Sequence, residues 1–259
     1  RSSLGFGERV TSSSSDLAYA GLDVSQLSRL GRYSRGLRRF ARRQPMGFAG
    51  LVVVIVLVVV AAGAGVIAPY DPAEIHPGDE LSGPGQSYIL GTDNLGRDVF
   101  SRIVYGSRIS LAVGIVSVAI ATLGGSAIGI VSGYYRGWID MALQRLVDAA
   151  MAFPGLILAL AIVAALGPDT KNVMLAIGFT TMPGVARIVR SAALSVASAG
   201  YIESARTVGA SDFRILMVHV LPNVLAPVLI LVTIGLGGAI VAEASLSFLG
   251  LGAPPPAPS

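Results

Sequence analysis

The sequence predicts an all-α, polytopic membrane protein, and three observations predict it. Of its 259 residues 53% are hydrophobic and only 13% charged, where a soluble domain carries about 25% charged residues. The mean hydropathy is +0.70. The few charges gather between long uncharged runs, the pattern of segments dissolved in a bilayer.

In chain order, residues 1–28 are rich in Ser and Gly and hold no sustained period, which reads as a disordered tail. From Leu27 the residues Leu30, Tyr33, Leu37 and Phe40 recur at helical spacing among seven arginines. Residues 1–45 therefore read as a cytoplasmic tail ending in a basic segment. That segment is either an amphipathic helix lying on lipid headgroups or a solvated tail. The first span covers 46–68 without a charge, and 23 residues at 1.5 Å each give roughly 34 Å, enough to cross with modest tilt. Residues 69–106 form a polar, mainly acidic external loop with an interfacial helix. The core, 107–259, holds spans near 107–132, 148–167, 172–189 and 223–241. Nine arginines precede residue 44, which places the N-terminus in the cytoplasm. Alternation then puts 133–147 and 190–222 inside, where Arg136, Arg145, Arg190, Arg206 and Arg214 lie.

Several chemistries are excluded. The only lysine is Lys171, between Thr170 and Asn172, so no Gly-x-x-x-x-Gly-Lys-Ser/Thr loop exists to cradle ATP phosphates. Cysteine is absent, which removes thiolate nucleophiles and Cys-based metal sites. His76 and His219 fall on opposite sides of the expected topology, so no metal site and no bound cofactor are expected. Arginine before a membrane span reports orientation rather than nucleic-acid binding. Asp148 sits at the edge of its span and the other span cores carry no ionisable residue, which disfavours an ion-driven transporter or a channel acting alone. These remain the rivals, with a membrane scaffold behind them.

Two polar stretches interrupt the apolar runs. In the first, Leu90–Leu111, Thr92 or Asp93 is expected to cap a helix. Asp93 with Arg97, and Asp98 with Arg102, are spaced to pair along it. Leu95, Val99 and Ile103 would form its apolar stripe. The second, 201–222, is a charged insert in a chain where charge is scarce. A third stretch, Thr180-Thr181-Met182-Pro183-Gly184, either lines a central cavity with hydroxyls on a broken helix or serves helix packing.

These stretches carry a family resemblance. Gly91-Thr92-Asp93, Gly96-Arg97-Asp98, Gly106-Ser107-Arg108-Ile109-Ser110-Leu111, Pro69-Tyr70-Asp71-Pro72 and Glu243–Gly252 stand in the order found in dipeptide, oligopeptide and nickel ABC-transporter permeases. The chain resembles the C-type subunit of that family over about residues 40–259. Glu203-Ser204-Ala205, Gly209 and His219-Val220-Leu221-Pro222 are similar to its cytoplasmic coupling loop, with Ser204 and His219 departing from the commoner alanine and isoleucine.

The resemblance implies a type I importer permease fold in the bacterial inner membrane. It also implies a heterodimer with a second homologous permease, two ATPase subunits holding ATP and Mg, and an external substrate-binding protein. The coupling loop would be two short helices docked on an ATPase. Tyr201 opens it, and Ile202, Ala205 and Val208 would form one apolar face with Glu203 and Arg206 at its rim. Gly209 would end the first helix at positive φ, Ser211 would cap the second, and Pro222 would start the fifth span. The family continues into a sixth span, so the chain is expected to be trimmed at both ends.

Overall fold

The computed structural model describes residue 39 and residues 41–252. The expected tail, most of the basic segment and the Pro254–Pro256 run lie outside the described residues. The chain divides into two compact units, Arg1–Val56 and Leu57–Ser259. Helix α1, Pro45–Ala62, begins in the first unit and is apolar on all sides. In the second unit a single turn, α2 (Ala64–Ile67), follows, and then an irregular segment reaches Asp98.

Seven further helices and a short π segment complete the described fold. They are α3 (Val99–Tyr135), α4 (Gly137–Met151), α5 (Gly155–Leu166), α6 (Thr170–Ala197), α7 (Gly200–Thr207), and α8 (Asp212–Ile215) running through π-helical Leu216–Val220 into α9 (Leu221–Phe248). Among the described residues the sole β pairing is the isolated Thr92–Asp98 bridge. Among the described residues four helices are long and apolar enough to cross a membrane, or five spans if α4 and α5, bent by 86° at their junction, count as one.

Small residues decide how these helices meet. Gly125, Gly129 and Gly133 repeat every four residues along α3 and face α6. A Cβ on Gly129 would lie 2.6 Å from Ala186 O and 2.8 Å from Arg190 N. With no hydrophobic drive between helices in lipid, such close backbone approach is what supplies packing. The α3–α6 interface is accordingly the most extensive in the fold, with α9 laid against both. The core follows α3 lengthwise. Val113, Val118, Val163, Val173 and Leu246 form one cluster, Ala121, Val185 and Val189 the next. Tyr134, Ile202, Ile215 and Val220 form a third. Outside it, Leu123, Leu229, Ile234 and Val241 stay exposed, the surface expected of helices whose solvent is lipid.

Element ends differ from the sequence reading, each for a local reason. Helix α3 starts at Val99, because Asp98, not Thr92 or Asp93, is its cap and accepts from Ser101 N at 2.8 Å. It then continues unbroken for 37 residues, roughly 55 Å, so no separate interfacial helix exists there and Leu95 precedes it. The expected third span is interrupted at 152–154, where Pro154 cannot continue a helix and begins α5 instead. Pro183, in contrast, is buried inside an intact α6. That helix runs eight residues beyond Val189, so Arg187 and Arg190 fall within its length.

Helix α9 likewise extends to Phe248 and encloses Glu243, which is 5% exposed and accepts from Ser110 Oγ at 3.1 Å. Glu243, expected beyond the fifth span, thus lies within the helix that forms it.

Candidate functional site

The segment from Gly200 to Pro222 forms a helix–turn–helix built on a third of the core. In α7, Ile202 is fully buried and packs with Tyr134 and Ala193. The helix then closes with a Schellman turn. Gly209 N donates to Arg206 O at 2.9 Å and Ala210 N to Ala205 O at 3.0 Å, while Gly209 holds φ at +82°. That φ suits only a residue without a Cβ penalty. Ala205 and Ala210, the pair this motif brings together, both pack on the same cluster. Ser211 then caps α8 by accepting from Arg214 N at 3.4 Å.

The following π segment carries the chain directly into α9, and Leu221 N bonds Leu216 O. Pro222 therefore lies in the first turn of α9 but does not begin the span, since the helix already runs from Asp212.

Tyr134, at the end of α3, ties the two short helices together. Its hydroxyl donates to Asp212 Oδ1 at 2.6 Å, and the Arg206 guanidinium lies 5.1 Å from its ring centroid. Ser204 and Thr207 hydroxyls turn back to the carbonyls of Gly200 and Glu203. Glu203 and Arg206 are exposed at the rim. The expected single face of Ile202, Ala205 and Val208 is split: Ile202 faces its own core, whereas Val208 is 83% exposed. The outward apolar side chains are instead Tyr201, Val208, Phe213, Met217 and Val218. A rigid base thus presents a protruding apolar ridge.

A polar network braces the neighbouring helices. Arg190 of α6 donates through Nε and Nη2 to the two carboxylate oxygens of Asp140, each at 2.5 Å. Ser132 also donates to Asp140, and Gln144 Nε2 donates to Ser132 Oγ at 3.0 Å. Sequence reasoning missed this network, Tyr134 and the α3 glycines. Of these only the four-residue glycine spacing was a readable signal.

The external motif is a structural knot. Gly91 and Gly96 take φ of +80° and +73°, and a Cβ on either would collide with the carbonyls of Ser82 and His76. Thr92 Oγ1 donates to Asp79 O and accepts from Ser82 N. Asp93 accepts from Leu95 N, Arg97 N and Arg97 Nε at 2.8–3.0 Å. It also lies 3.8 Å from Arg102. The expected Asp98–Arg102 pair does not form: Asp98 is buried as a cap and Arg102 donates to Pro72 O. Tyr88 is pushed up to about 12 by its hydrogen bond to Asp79, so the phenol stays a donor.

For Asp93, burial acts upward, but the hydrogen bonds from Arg97 and the Leu95 amide outweigh it and hold the carboxyl below its ordinary range. A depressed carboxyl contributes stability that is full above its unfolded value, about 3.9, and lost as pH falls through the lower folded value. Hydrogen exchange of residues 69–98, corrected for intrinsic rates, is expected to stay flat from pH 7 to 5 and to rise below about pH 4. Asp93→Asn should exchange faster already at pH 7, and equal protection in that variant would contradict this role.

Thr180 and Thr181 both donate to Ile177 O, at 3.1 and 2.8 Å. Met182 packs at the α3–α6 crossing, where its Sδ and Cε meet the position of a Cβ on Gly124.

The described fold is an all-helical, polytopic one with a braced helix–turn–helix, and the comparisons give the class of protein that carries it. Residues 125–259 match the model of "Binding-protein-dependent transport system inner membrane component". Residues 33–84 match "N-terminal TM domain of oligopeptide transport permease C". The chain is 44% identical over 222 residues to the "Glutathione transport system permease protein GsiD" of Pectobacterium atrosepticum, covering 85% of this chain and 73% of that protein. It is 41% identical over 217 residues to the "Dipeptide transport system permease protein DppC" of Alkalihalophilus pseudofirmus, covering 84% and 71%.

The chain belongs to the family of binding-protein-dependent ABC permeases, in its C-type peptide-permease branch. It is a multi-pass membrane transport subunit and not an enzyme.

Proposed function

We propose that the chain forms half of the translocation pathway of an ATP-driven importer for peptides or related small solutes. The observation that carries this reading is the ridge at Tyr201, Val208 and Phe213, exposed on a base locked by Ile202, Tyr134 and the Gly209 turn. An apolar ridge beside charged residues, on a loop expected in the cytoplasm, is a surface for a protein partner. The chain has no phosphate-cradling loop of its own, so ATP and Mg are bound by two ATPase subunits, one of them docked there. A second homologous permease completes the membrane dimer, and an external binding protein delivers the solute. The N-terminus lies in the cytoplasm. Peptides or glutathione-like solutes are supported by the names of the relatives. ATP-driven closure of the ATPases moves the ridge, and the attached α6 and α9 tilt, provided the partner contacts differ between the two states.

The test is uptake of labelled alanyl-alanine into proteoliposomes. The complete set of subunits with binding protein should import it only when ATP is supplied on the ATPase side. The chain alone should import nothing under a proton or sodium gradient. Gradient-driven uptake by the lone chain would establish the ion-driven rival, for which buried Glu243 would be the natural ion site.

A further inference from the structure

Helix α6 changes character halfway along one face. Val173, Ala176 and Ile177 are buried there against Ala159 and Val163 of α5. Four residues further the same face opens, beyond the start of α5 at Gly155, where the chain bends by 86° and α4 meets α6 through side-chain ion pairs. Thr180, Gly184, Arg187 and Ser191, spaced four, three and four apart, fall within about 60° of one another on the helix. Arg187 and Ser191 are exposed, and no atom lies within 4 Å of the place a Gly184 Cβ would take. Arg187 meets Asp148 of α4 at 2.5 Å, and their side chains remain 49% and 58% exposed. The neighbouring Arg190–Asp140 pair, at 30% and 16%, is the more enclosed and serves to brace the helices.

An open ion pair on a membrane helix is costly against lipid tails, and such pairs face water-filled space. We propose that this face lines the solute pathway, and that Arg187 and Asp148 take up the opposite charges of a zwitterionic solute such as a short peptide. Arg187 offers a planar fork to a carboxylate, and Asp148 accepts from an ammonium group. The pair holds the two sites closed against each other while no solute is present. The solute class rests on the importer reading above; the water-lined face does not.

The sequence has no cysteine, so Gly184→Cys and Ser191→Cys each place a single thiol in this chain. In the assembled transporter both should react with a charged, membrane-impermeant methanethiosulfonate at least tenfold faster than after the transporter is trapped in its opposite state. Reaction only with a lipid-soluble maleimide would put the face in lipid. Reaction with neither reagent would put it against the second permease, and either result overturns the proposal.

For the pair, Arg187→Gln and Asp148→Asn should each reduce alanyl-alanine uptake at least tenfold, chiefly through a raised KM. The exchanged pair Asp148→Arg with Arg187→Asp should remain defective, because each charge is needed at its own place. Full rescue by the exchange would reduce the pair to a structural clamp. Cysteine variants that label as expected, in a transporter that never imports the dipeptide even with the wild-type chain, would sink the importer reading and leave the water-lined face standing.

Discussion

Replacing Gly129 by leucine is expected to leave almost no folded permease. The Cβ alone would sit 2.6 and 2.8 Å from backbone atoms of α6 and 2.9 Å from Val189 Cβ. Backbone cannot rotate aside as a flexible side chain does, so α3 and α6 must separate along their length. Overpacking in a tight core costs 1–3 kcal/mol, and loss of the close approach at Gly125 and Gly133 adds to that. A destabilisation above about 3 kcal/mol is expected, enough to unfold a marginal membrane protein. Gly129→Ala should show a smaller effect in the same direction. Gly238→Ala, where nothing lies within 4 Å, should melt like the wild type. The check is the fraction recovered as a monodisperse peak from detergent and its midpoint of thermal unfolding. Wild-type recovery of Gly129→Leu would mean that the α3–α6 crossing is not the keystone of the fold.

Gly209→Pro is expected to abolish uptake while the permease still inserts. Proline fixes φ near −65° and has no amide hydrogen, whereas this position needs +82° and donates to Arg206 O. The turn cannot close, Ala210 leaves Ala205, and Val208 and Phe213 lose their fixed relation. The cluster beneath is anchored in α3, α6 and α9 by Tyr134, Ala193 and Val224, so the membrane body should survive. Uptake by the assembled transporter is expected to fall at least 100-fold with insertion within about twofold of wild type, a loss of about 2.7 kcal/mol in coupling. Gly209→Asn, which tolerates positive φ, should retain most of the uptake. Retained uptake in Gly209→Pro would remove the turn from the mechanism.

The sequence announced the helical membrane class because charge separation and apolar run length are local properties. It also marked the loop at 201–222, since Glu203, Arg206, Gly209 and Ser211 act through their own neighbours. Tertiary effects were harder to read. Pro154 and Pro183 look alike in sequence, yet one breaks the chain and the other is carried inside α6, where neighbouring helices hold it. The ends of α6 and α9 were drawn where charge appeared, at Val189 and Val241. Arg190 and Glu243, just beyond those points, are satisfied by Asp140 and Ser110 on other helices, so charge did not end those helices. The ridge was only partly legible, because residues six apart lie about 120° round a helix, which let the Tyr134 cluster take Ile202 inward while Val208 stayed exposed.

The central claim is that the ridge on 201–218 receives motion from ATPase subunits. The most direct measurement is cross-linking from a photoreactive group on Val208→Cys in the assembled transporter. The account predicts a product with an ATPase subunit whose yield changes when ATP and Mg are added. A product formed with lipid or with no protein, at a yield indifferent to ATP, would contradict it.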